Sequence, residues 1–232
     1  MVLIDTIYQR VLVIANKEQR GYITPQEFNL FANQAQMNIF EQYFYDLNQF
    51  RRLPGNDSKY ADMIDILEEK LNYFKQGPTT ITNGVAVSEL STDSPNLFYR
   101  LGDINSNSKI VEEIRYEDYY RTQISPLTKA TPNRPIYWRK DGKIYFEPDL
   151  GDYSVHWIRK PKKVNWTYVV VNNKTALYNG SDINLQNFEL HDSEETSLVT
   201  NILKIAGIAI KDQALAVAAV NEDSNRIKQE KQ

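Results

Sequence analysis

Apolar positions at three- and four-residue steps dominate the first third of the chain. Leu3, Ile4, Ile7, Val11 and Ile14 mark one face of a first helix. Phe28, Phe31, Ala35, Ile39, Tyr43, Leu47 and Phe50 form a longer stripe, predicting a second helix that starts near Pro25. The Pro and Gly of "LPGND" (53–57) interrupt the pattern. A third helix should carry Tyr60, Ile64, Leu67, Leu71 and Phe74 and end at "QGP" (76–78).

The period then changes. In "ITNGVAV" (81–87) an Asn-Gly pair stands between short apolar runs, predicting a hairpin turn. In "PIYWRKDGKIYFEP" (135–148), Asp141 and Gly142 join two runs of aromatic and β-branched residues, predicting a two-residue hairpin. "YSVHWIRKP" (153–161) alternates and reads as the next strand, and "YVVV" (168–171) as another. "NWTYVVVNNKT" (165–175) is aromatic and β-prone, suited to adding to a sheet or lying at an interface.

A last helix opens at Asp192 or Ser193, with Glu194 and Glu195 at its positive end. Leu198, Ile202, Ile205, Ala209, Leu215 and Val220 form its stripe, while Ile208, Ile210 and Val217 face elsewhere. A helix apolar on most sides must be covered on most sides, by its own chain or by a neighbouring subunit. The fold class is α+β: an N-terminal helical hairpin or bundle (1–78), a β-rich insertion with antiparallel hairpins (79–191), a long C-terminal helix packing on the helical part (192–220), and an extended polar tail (221–232).

One stretch imitates a calcium site. In "NKEQRGYITPQEF" (16–28), aligning Gly21 with the EF-hand glycine puts Asn16, Glu18, Arg20 and Glu27 at ligand positions. Arg20 argues against it, because a guanidinium has only donors and a permanent positive charge. The same residues make a helix start. Thr24 is the N-cap, Pro25 the first helical residue, and Glu27 completes a capping box. Ile23 and Phe28 are placed for a hydrophobic staple.

Composition narrows the chemistry. The 232 residues contain no cysteine, which removes thiol catalysis and cysteine-based zinc sites. Net charge is 27 − 30 = −3, so no global basic field draws nucleic acid. Neither a secretory signal nor an apolar run of about 18 residues is expected, so no membrane partner is. Aromatics make up 12%, and 15 of them are tyrosines, which suits sheet surfaces and contact faces. The two histidines, His156 and His191, lack the i, i+4 partner of a helical zinc site. No Gly-x-Ser-x-Gly, P-loop or dinucleotide fingerprint occurs, and the carboxylates of "EEIRYED" (112–118) read as a solvated edge. No catalytic residue, cofactor or metal ligand is expected.

The densest basic cluster, "RKPKK", offers Arg159, Lys160, Lys162 and Lys163 as partner contacts, against the plainer reading of a solvated loop. The off-stripe Ile208, Ile210 and Val217 are candidates for burial by another subunit. In the tail, Asn225, Arg226, Ile227 and Lys228 could order against a partner.

Three stretches resemble head-to-tail adaptors of short-tailed bacteriophages of the crAss-like type, also called ring, collar or connector proteins. They are "GYITPQEFNLFANQAQMNIFEQYF" (21–44), "NRPIYWRKDGKIYFEPDLGDYSVHWIRKP" (133–161) and "EETSLVTNILKIAGIAIKDQALAVAAVNEDSNRIKQEKQ" (194–232), about half of the chain. The resemblance implies a virion protein, made in the bacterial cytoplasm and located at the head–tail junction. It implies a ring of about twelve copies built by heterologous contacts, bound to the portal protein on one side and to the next tail or ring protein on the other. DNA would pass through the lumen without sequence-specific binding, with the tail (221–232) facing the portal. Alternative expectations are another virion ring or a capsid-stabilising protein, then a carboxylate hydrolase or a calcium-binding module.

Overall fold

A computed structural model describes residues 1–17, 23–51, 63–87, 97–106, 109–151, 153–171 and 175–209. The architecture is α+β, as the change of period predicts. The chain divides into two compact units: Met1–Tyr73 with Pro161–Gln232, and Phe74–Lys160.

The first unit contains α1 (Ile4–Lys17), α2 (Pro25–Phe50), α3 (Met63–Asn72) and α5 (Glu195–Ala209), with α2 packed on α3 and α5, and α1 on α5. The cap of α2 forms as read from the sequence. Thr24 N donates to Glu27 Oε2 at 2.9 Å, and Glu27 N donates to Thr24 Oγ1 at 3.3 Å. Donation to the carboxylate from Thr24 N and from the Thr24 hydroxyl, the latter at 2.7 Å, holds the Glu27 carboxyl below its ordinary range. Ile23 and Phe28, on either side of the cap, are both buried. The buried face of α1 is Ile4, Ile7, Tyr8, Val11 and Ala15, whereas Leu3 and Ile14 are exposed. Leu3 precedes the first helical residue, and Ile14 lies about 100° around the helix from its neighbour Ala15. On α5, Leu198, Val199, Ile202, Leu203 and Ala206 are buried on one face and Ser197 and Thr200 on the other side, so this helix is covered on more than one side within its own unit.

The second unit contains two four-stranded sheets, ordered β1-β8-β3-β4 and β2-β7-β6-β5. Their strands are β1 (Lys75–Ile81), β2 (Val85–Ala86), β3 (Phe98–Ser106), β4 (Lys109–Ile110), β5 (Glu112–Glu113), β6 (Ile136–Lys140), β7 (Lys143–Glu147) and β8 (Tyr153–Arg159). A short helix, α4 (Tyr119–Ile124), lies between β5 and β6 in sequence. The core joins Ile81, Ile104, Val111, Tyr137, Ile144, Phe146, Tyr153, Val155 and Trp157. Phe146 and Tyr153 stack with centroids 3.7 Å apart. The β6–β7 hairpin closes through Asp141 (φ 51°) and Gly142 (φ 71°), the two left-handed positions that a two-residue turn of this kind requires.

Three expectations need correction. The third helix stops at Asn72 rather than at 76–78, because Lys75 already pairs with Ile158 and Phe74 O accepts from Arg159 N at 2.9 Å. Sheet pairing takes over one turn early, and Phe74 is buried without being helical. The Asn83-Gly84 turn closes no hairpin: β1 pairs with β8, whereas β2 pairs with β7. The turn instead passes the chain from one sheet to the other, and Asn83 clasps Phe146, accepting from its N at 3.0 Å. Finally, the β-rich unit begins at Phe74 and ends at Lys160, not 79–191. Positions 161–191 belong with the helices, held there by amide side chains of α2. Within that segment β9 (Tyr168–Val171) and β10 (Thr175–Tyr178) form a separate two-stranded ribbon.

Candidate functional site

The basic cluster singled out in the sequence falls at the division between the units. Arg159 and Lys160 close the second unit. The Arg159 guanidinium lies 5.6 Å from the Phe74 ring centroid, and Lys160 N donates to Leu97 O at 2.6 Å. Lys162 and Lys163 open the return into the first unit, with exposed side chains. Helix α5 includes Ile208, whose side chain lies outside the described residues, as do Ile210, Val217, Asn225, Arg226, Ile227 and Lys228.

The return segment is held by a row of amides that the sequence reading missed. Asn29 Oδ1 accepts from Trp166 N at 2.8 Å, and its Nδ2 donates to Trp166 O at 3.2 Å. One turn on, Asn33 Oδ1 accepts from Val164 N, and its Nδ2 donates to Val164 O, each at 2.9 Å. Gln36 Nε2 donates to Lys162 O at 2.8 Å, while its Oε1 accepts from Glu189 N at 3.2 Å. Residues 29, 33 and 36 stand at i, i+4 and i+7 on one helix face. One helical step of four residues rises about 6 Å, and two residues of extended chain span about 6.6 Å. The amides therefore meet alternate residues 162, 164 and 166, satisfying backbone groups as a neighbouring strand would. The signal available in the sequence was Gln36, a polar residue at a core position of α2.

Trp166 anchors the ribbon. Its ring lies 4.2 Å from that of Tyr8, and its Nε1 donates to Asp5 Oδ1 at 3.0 Å. Tyr168 and Tyr178, opposite each other at the base of the ribbon, stack on it at 5.7 and 5.9 Å. Beyond that base the ribbon is open: Val169 is 51% exposed, Val170 53% and Leu177 56%. Val169 and Leu177 are direct cross-strand partners and share a face. From Val164 to Tyr178 the sequence contains one charged residue, Lys174, in a chain that is 25% charged.

The second unit has an apolar outcrop of its own. Tyr120 (66% exposed) and Ile124 (81%) lie four residues apart on α4, and Leu127 (92%) comes three residues after the helix. Beside it Tyr119 packs on Trp138 at 4.3 Å and donates its hydroxyl to Glu147 Oε2 at 2.5 Å. That bond, together with burial, raises the Tyr119 phenol to about 12.

Groups suited to acid–base work are engaged in pairs. A hollow of about 710 Å³ is lined by Glu113, Arg115, Tyr116, Glu117 and Arg139. Within it Arg139 Nε donates to Glu113 at 2.9 Å, and the Tyr116 hydroxyl accepts from Lys140 at 3.1 Å. Burial and the Glu113 carboxylate push the Tyr137 phenol upward. Lys70 meets Glu194 at 2.6 Å, and Ser197 donates to the other oxygen of that carboxylate at 2.6 Å, tying α3 to the start of α5. His156 is exposed on β8, and His191 Nδ1 accepts from Ser193 N in the turn before α5. Among the described residues no three His, Asp or Glu side chains converge as a metal site, and no helix is long and apolar enough to cross a membrane. The chain matches no protein-family model and no curated protein.

Proposed function

We propose that this chain is a structural protein of a tailed-phage virion, a ring-forming connector between portal and tail. The observation that carries the reading is the position of the exposed apolar residues. They include Val169, Val170 and Leu177 on the ribbon of one unit and Tyr120, Ile124 and Leu127 on and just after α4 of the other, and none of these six lines the hollow beside Glu113. A subunit in a ring needs two unlike faces, each covered by the next copy or by an adjoining layer. The three stretches similar to head-to-tail adaptors support the same reading. In it Arg159, Lys160, Lys162, Lys163, Ile208, Ile210, Val217 and the tail positions 225–228 are contacts to neighbouring protein, and the lumen conducts DNA without gripping its phosphates. Size-exclusion chromatography with mass measurement, on the chain alone and mixed with portal, tests this. The expected result is a monomer or weak oligomer alone and a ring on the portal. A chain that ignores the portal at every concentration overturns it.

A further inference from the structure

We propose that the β9–β10 ribbon is a joint between copies of this chain, the β9 edge of one copy pairing with the β10 edge of the next. The inference rests on the ring reading and names one of its contacts.

Four observations lead to it. The ribbon is neutral along its whole described length, with Tyr168, Val169, Val170 and Val171 facing Thr175, Ala176, Leu177 and Tyr178 in unbroken register. It therefore lacks the devices that usually protect a sheet edge, namely charged side chains, proline or a bulge. No third strand joins it among the described residues. Its base is fixed by the Trp166 stack, so the exposed Val169 and Leu177 start from a held position.

Charge then selects the occupant. A polyanion such as DNA requires cations on its binding surface, and a charged peptide requires the opposite charges; the described ribbon has neither. What fits is a backbone edge with equally neutral side chains, and the β10 edge of a second copy, with Ala176, Leu177 and Tyr178, provides one. The two edges belong to different strands, so pairing β9 with β10 is head to tail and leaves a matching edge open at each end, as a closed ring needs. Size explains why such pairing stays weak in a free pair of copies. A four-residue strand is about 13 Å long, and its contact falls far short of the roughly 800 Å² per partner of a stable interface. Ring closure, which holds each copy on two sides, supplies the rest.

The chain has no cysteine, so single replacements report cleanly. Val169→Cys protein is mixed with Leu177→Cys protein at high concentration under mild oxidation. The expected product is a mixed disulfide between the two variants, several-fold over either homodimer, with unchanged circular dichroism. Homodimers in equal or greater yield, or no cross-link, overturn the joint. Val169→Glu mixed with portal separates this inference from the ring reading. The expected result is loss of the ring while the unsubstituted chain still forms one. A ring that forms unaltered with Val169→Glu overturns the joint and leaves the ring standing, whereas failure of the unsubstituted chain overturns the ring reading itself.

Discussion

The β6–β7 hairpin and the β9–β10 ribbon are both short antiparallel pairs, yet their side chains are arranged in opposite ways. In the hairpin Tyr137, Ile144 and Phe146 face inward to a core, and the opposite face includes Lys140 and Lys143, with Lys140 donating to the Tyr116 hydroxyl. In the ribbon Val169 and Leu177 point to solvent, and the described strands have no charge at all. One element is finished within its chain; the other has the composition of a buried strand without the cover. A two-stranded ribbon gains little stability in isolation, and this one is held at its base by Trp166 and the amide row of α2. The difference shows where to look for contacts: a strand pair with core-like composition and open faces.

The contrast can be pressed hardest at Phe146. Phe146→Ala should cost about 3–5 kcal/mol in urea denaturation, whereas Val169→Thr should stay within about 0.5 kcal/mol for the free chain. A comparable loss from both would mean that the ribbon is also a stability element. Next comes the support beneath the ribbon. Asn33→Leu keeps the size of the side chain but leaves Val164 N and O without their partner, and should cost about 1–3 kcal/mol. Its effect should appear as faster amide exchange at 162–166 before any change in the hairpin.

Thr24→Ala probes a region remote in sequence from both elements and should cost about 1 kcal/mol, read from thermal melts. Because the Glu27 pKa is lowered in the folded chain, its contribution is present above the ordinary carboxylate pKa and disappears as pH falls through the lowered value. The gap between Thr24→Ala and the parent should therefore narrow in acid. The smallest effect belongs to Tyr119, on the outer side of the hairpin. Its raised phenol gives stability that is present below its ordinary pKa of 10 and is lost as pH rises through about 12. Alkaline absorbance titration should show one late-ionising tyrosine fewer in Tyr119→Phe.

What was legible in the sequence depended on how local its cause was. The cap of α2 and the Asp141-Gly142 hairpin were both readable, because each is closed by residues within a few positions. The Asn83-Gly84 signal was real as a turn, but its flanking strands find partners some sixty to eighty positions away, β7 and β8, so no local rule could assign them. The end of α3 failed for the same reason, since Phe74 and Lys75 answer to Arg159 and Ile158. Asn29, Asn33 and Gln36 looked like ordinary polar positions beside an apolar stripe. Only the return of the chain at 162–166 turns them into a row of strand-like partners. "YVVV" was readable as a strand and as a sheet or interface element, but its exposure was not, because exposure depends on what the remainder of the chain leaves uncovered.

Hydrogen–deuterium exchange, comparing the free chain with the same chain assembled on portal, tests the central claim most directly. The account predicts strong new protection of β9 and β10 on assembly, with β6 and β7 exchanging equally slowly in both states. Unchanged exchange in the ribbon of an assembled ring would contradict it.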